Sequence, residues 1–118
     1  MADAGLFIGW GSPVRGREQK GIQVFNEAFD YFGGLRQAGQ IESVDAVFLE
    51  PHGGDLNGFF LIKGEREQLA GIRVSDEMNR LTLRAGQIVE GFGIVGAQLG
   101  DAIQSQVGAY LEAVNDLS

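Results

Sequence analysis

A chain of 118 residues without cysteine fits one domain, residues 1–118, and excludes disulfides, thiolate metal sites and thiol nucleophiles. A hydrophobic share of 44% beside 21% charged residues excludes a disordered chain, and a net charge of −7 with no basic stripe makes nucleic acid and anionic membrane surfaces poor partners. No apolar run approaches the ~20 residues of a membrane span, and MADAGLFIGW lacks the basic start and long apolar core of a signal peptide, so a cytoplasmic location is expected.

The first strand is expected at Leu6–Trp10, closed by the turn formers Gly11-Ser12-Pro13. A helix follows from about Arg17 to Phe32, with an outer limit at Ala38. Ile22, Phe25, Phe29 and Phe32 share one sector, and Val24, Ala28, Tyr31 and Leu35 the next. That apolar face is wider than a lone surface helix carries. Gly33-Gly34 is expected to weaken or end it.

Strand two is expected at Ile41–Glu50 and strand three at Gly58–Lys63, joined by the hairpin loop Pro51–Asn57. A short helix over Glu65–Ile72 precedes a second one that opens at Ser75-Asp76-Glu77, an N-cap followed by acids, with Met78, Leu81 and Ala85 inward. Strand four is expected at Gln87–Gln98. A last helix after Gly100-Asp101 carries Ile103, Val107, Tyr110, Leu111 and Val114 on one stripe.

The run GLFIGW with RGREQKGI behind it is echoed by GFFLIKGEREQLAGI. An apolar strand followed by Arg-Glu-Gln and a helical pattern thus occurs at the same place in each half. The order β-α-β-β-α-β-α is that of an α+β, ferredoxin-like domain with a four-stranded antiparallel sheet and helices on one face. Strands one and three are expected to run parallel, which would separate the loop after strand one from the hairpin before strand three.

Strands one, three and four are apolar on both sides, whereas the helices can shelter one face only. An uncovered apolar face of that size implies a partner, and a second copy related by a twofold axis is the simplest. A homodimer packed through its sheet faces is expected.

With its element order, the hairpin EPHGGDLNGFFLIKG and the two-part second helix around SDEMNRLTLRA, the chain resembles the dimeric α/β-barrel superfamily and, within it, a group of small bacterial proteins of unassigned function. The resemblance covers nearly the whole chain. It implies two ferredoxin-like subunits closing a barrel. Its relatives range from cofactor-free monooxygenases, lactone isomerases and dyp-type peroxidases to haem-binding proteins and proteins without known chemistry. No motif in the chain selects among these, so the fold does not choose the function.

Candidate chemistry is sparse. His52, the single histidine, is a general-base candidate that also reads as a solvated loop residue. Asp45 and Glu90 interrupt apolar strands, and burial in a lumen would make either a proton donor or acceptor; on an outer strand each simply reaches water. Arg15 and Arg17, in the loop after strand one, offer cations to a small carboxylate or serve as surface residues. Trp10, Phe59, Phe60 and Phe92 are candidate cavity aromatics or plain core. No metal site and no cofactor are implied. The leading expectation is a homodimer that binds a small apolar or acidic ligand in its barrel. A cofactor-independent monooxygenase or isomerase, and a structural or assembly module, are the alternatives.

Overall fold

A computed structural model describes residues 3–118. Its elements are β1 (Ala4–Trp10), α1 (Glu18–Gln37), β2 (Ser43–Phe48), β3 (Gly58–Gly64), α2 (Arg66–Arg73), α3 (Asp76–Ala85), β4 (Gly93–Gln98) and α4 (Asp101–Leu117). The strands form one antiparallel sheet in the order β2-β3-β1-β4. The two echoed runs are the central strands β1 and β3. Their Arg-Glu-Gln triplets, Arg17–Gln19 and Arg66–Gln68, fall at the starts of α1 and α2.

Register decides which side chains meet. Leu6 stands opposite Ile62, Ile8 opposite Phe60, and Val44 opposite Ile62, all on the face that the helices cover. Ala28 and Phe32 of α1, Leu69 and Ile72 of α2, and Met78 of α3 pack onto these strand residues. Burying each large apolar side chain contributes about 1.5–3 kcal/mol, and Phe32, Ile8, Ile62 and Met78 are sealed from solvent. Ser75 caps α3 as its sequence suggests, its Oγ accepting from the Met78 N–H at 3.2 Å.

Helix α1 runs through Gly33-Gly34 to Gln37. The glycine cost of about 1 kcal/mol each is outweighed because Phe32 is fully buried beside them, and because the chain turns only where the Gly39 N–H donates to the Arg36 carbonyl. Gly39 there has φ +74°, a left-handed conformation open to glycine at little steric cost.

Two expectations are corrected. β1 and β3 are antiparallel, because the first β-α-β unit leaves a gap between β1 and β2 that β3 fills in the opposite sense. Trp10 therefore faces Gly58, and the loop after β1 lies at the same end of the sheet as the hairpin before β3. Strand four is shorter than expected. Residues 86–92 form an irregular loop, and β4 begins at Gly93.

The opposite face of the sheet carries Gly5, Phe7 and Gly9 on β1, Phe59, Leu61 and Lys63 on β3, Asp45 and Val47 on β2, and Val95 and Ala97 on β4. The Phe7 and Phe59 rings lie 4.9 Å apart between centroids. Among the described residues no helix covers this face, and Val95 is 55% exposed.

Helix α4 leaves the body of the domain. Ala102 in its first turn is its one buried residue, whereas Ile103, Val107, Tyr110, Leu111, Val114 and Leu117 are all exposed. The radius of gyration is accordingly 16.1 Å, against about 13–14 Å for a compact chain of this length.

Candidate functional site

Three connections meet at the end of the sheet where β1 finishes: residues 11–17, residues 49–57 and residues 86–92. Backbone hydrogen bonds stitch them together. Gly11 N–H donates to the Glu90 carbonyl at 2.7 Å, Glu90 N–H to Ser12 O at 2.8 Å, and Val14 N–H to Ile88 O at 2.8 Å. Asn57 N–H donates to Trp10 O at 2.8 Å, which ties the hairpin to the same rim. Gly11 is needed for this closeness. A Cβ at that position would come within 2.8 Å of Glu90 O and 2.9 Å of Asp55 O.

Behind that rim a cleft of about 510 Å³ opens between the sheet and the helical layer. Its floor is Ile8, Trp10 and Phe60, its walls are α1 (Gly21, Ile22, Val24, Phe25, Ala28) and α3 (Leu81, Ala85), and Ile88, Val89 and Phe92 close the loop side. Aromatic rings dominate the surface. Phe25 stacks on Phe60 with centroids 5.1 Å apart and planes 14° apart, and Trp10 lies 5.2 Å from Phe60 and 6.0 Å from Phe25. Glu18, Asn26 and Asn57 are its polar members. Asn57 sits at the mouth, its Nδ2 at 3.5 Å from Ser12 Oγ.

This volume and lining suit a small, flat, mostly apolar molecule with one or two hydrogen-bonding groups. The helices that wall the cleft are joined outside it by an ion pair between Glu27 and Arg84, with Gln23 Nε2 also donating to Glu27 at 3.0 Å. Together the Arg84 guanidinium and the Gln23 amide hold the Glu27 carboxyl down at about 2, from 4.5. A second hollow, of about 620 Å³, lies between α2 and the start of α4; Arg66, Arg73, Gln98 and Asp101 on its wall make it far more polar.

Trp10 and Phe92 line the cleft, while Phe59 points from the opposite face of the sheet. Arg15 and Arg17 are exposed on the loop leading into α1 and are not part of the lining. His52 is exposed, with Nε2 donating to Leu56 O at 2.9 Å and Nδ1 accepting from the Gly54 N–H at 3.2 Å. Both ring nitrogens are thus engaged within the hairpin. Asp45 stands on the outer strand β2, 4.0 Å from the Lys63 ammonium, and Glu90 is exposed on the rim. His52, Asp45 and Glu90 therefore do not converge on the cleft. Among the described residues, no group of three or more His, Asp or Glu side chains could hold a metal ion, and no helix is long and apolar enough to cross a membrane.

Phe25, Ala85 and Ile88 were legible in the sequence only as core positions. The signal that they bound a cleft is their joint position against Trp10 once the loop 86–92 folds back, which linear spacing does not carry.

No family model matches the chain, and comparison with curated proteins gives no match. Its architecture, however, is found among solved structures. A dimeric protein of unknown function and ferredoxin-like fold from Bacteroides fragilis superposes with a TM-score of 0.58 at 10% identity, over 81% of this chain and 96% of that one. A conserved protein from Methanosarcina mazei superposes with a TM-score of 0.56 at 9% identity, over 84% of this chain and 95% of that one. At such identities the likeness extends to the fold alone, and the chain has the ferredoxin-like fold of proteins whose function is unassigned.

Proposed function

We propose that the protein is a homodimer that binds a small, flat, largely apolar molecule in the cleft between its sheet and helices α1 and α3, rather than in a lumen between two sheets. The observation that carries this reading is the aromatic lining of the cleft, Trp10, Phe25, Phe60 and Phe92, with Asn57 at the mouth as its hydrogen-bonding group. Aromatic walls with few polar groups recognise ring-shaped guests. Binding without chemistry fits best, since a catalytic reading needs a nucleophile or base poised by a partner group: the one titratable side chain of the lining, Glu18, is exposed and accepts from the Gly16 N–H at 3.0 Å, and His52, Asp45 and Glu90 line no part of the cleft. The dimer rests on the apolar face of Phe7, Val47, Phe59, Leu61 and Val95, which no helix of the same chain covers, and on the dimeric state of the Bacteroides fragilis neighbour.

Trp10 is the chain's single tryptophan, so its indole N–H gives one resolved NMR signal from the cleft floor. Titration with 2-naphthol is expected to shift that signal saturably. Gly21 lines the cleft, and a Cβ added there meets nothing within 4 Å, so Gly21→Phe is expected to occupy the space, with circular dichroism checking that the fold is kept. It is expected to abolish the shift. An indole signal that does not move, or that moves equally in Gly21→Phe, would overturn the cleft assignment.

A further inference from the structure

Helix α4 cannot hold its shape by itself. No side chain caps its N-terminus, its last turn has no basic residue, and Asp116 stands there instead, opposed to the helix dipole. Gly108 weakens its middle. A helix of this length draws its stability from packing, yet beyond Ala102 its apolar residues face solvent. Something must cover them.

The spacing shows what fits. Ile103, Val107, Tyr110, Val114 and Leu117 recur at intervals of four, three, four and three residues, the heptad of a two-helix seam about 21 Å long. Ile103, Tyr110 and Leu117 take one set of seam positions and the two valines the other, and β-branched residues at that second set favour pairs over larger bundles. The flanks of the seam, which normally select the partner by charge, are Gln104, Gln106, Leu111 and Ala113. All three charges of α4, Asp101, Glu112 and Asp116, lie away from the seam and are acidic. An identical helix therefore meets no like-charge repulsion. A helix without one Lys or Arg is poorly suited to a membrane surface.

We infer that α4 pairs along this seam with α4 of a second copy of the chain, a contact separate from the sheet face and independent of the cleft. The helix is aimed outward for it. Gly100, at φ +54° and ψ −129°, turns the chain away from β4, a conformation open to glycine, and Gln98 Nε2 donates to Gln106 Oε1 at 3.1 Å to fix the first two turns.

The chain has no cysteine, which makes the test direct. Tyr110 is the midpoint of the seam, so it faces its own copy when the two helices run parallel and lies within about one turn of it when they run antiparallel. Under mild oxidation at micromolar protein, Tyr110→Cys is expected to form several-fold more disulfide-linked dimer than Glu112→Cys, whose side chain points away. Adding Val107→Asp and Val114→Asp to Tyr110→Cys is expected to abolish the cross-link, with circular dichroism confirming that the sheet domain stays folded. Equal cross-linking of Tyr110→Cys and Glu112→Cys would overturn the pairing, as would a cross-link that survives both aspartates. Either failure leaves the 2-naphthol response of the cleft unaffected, so the two readings fall separately.

Discussion

Glu27 of α1 and Arg84 of α3 form an ion pair that joins the two helical walls outside the cleft, with a second contact from Arg84 Nη2 to Glu27 Oε2 at 3.4 Å. Their side chains are 43% and 35% exposed, so solvent screens the pair, and its value lies in joining two walls rather than in bulk stability.

Because Arg84 and Gln23 depress the Glu27 carboxyl from 4.5 to about 2, the contribution of the pair is fully present above about pH 4.5 and is lost as pH falls toward 2. Glu27→Gln is expected to lower the melting temperature slightly at pH 7 and to melt together with the parent protein at pH 2. A difference that persists undiminished in acid would show that Glu27 acts through something other than its charge.

Phe60 joins the core to the cleft. It is 3% exposed and touches the rings of Trp10, Phe25, Phe29 and Phe32. Phe60→Ala removes the ring that the others pack on, and urea denaturation is expected to show a loss of roughly 3–5 kcal/mol. A loss below about 1 kcal/mol would mean that the aromatic cluster closes over the gap.

Two glycines should respond in opposite directions. Gly11→Ala drives a methyl into two backbone carbonyls, of Glu90 and Asp55, which cannot swing aside as a side chain could. A cost of about 1–3 kcal/mol is expected, together with weaker 2-naphthol binding as the rim opens. Gly34→Ala sits on the exposed side of α1 with nothing within 4 Å, and is expected to stabilise by roughly 0.5–1 kcal/mol through the unfolded chain. The same denaturation series reads both.

The elements and their order were legible because each is written locally. The continuous apolar runs of Leu6–Trp10 and Gly58–Ile62, the Ser75 cap and the wide face of α1 all act over a few residues. The sense of β1 relative to β3 was not, since it depends on where β3 inserts, a choice made between segments about fifty residues apart. Residues 87–92 read as strand because Ile88, Val89 and Phe92 are apolar. They are apolar because Ile88 is buried and all three border the cleft, without strand pairing beyond the single bridge of Val89 to Pro13. Gly33-Gly34 misled for a similar reason. Local propensity argued for an end, and the buried neighbour Phe32 overruled it.

The rim at the end of β1 is stitched mainly through main-chain amides and carbonyls, so its outline owes little to the side chains it displays. Ser12 and Glu90 give their backbone to that lattice while their side chains stay in water. Substitutions at those positions can alter the chemistry that the rim displays without shifting the frame. In such a rim, shape and surface chemistry are set by different atoms and can vary independently.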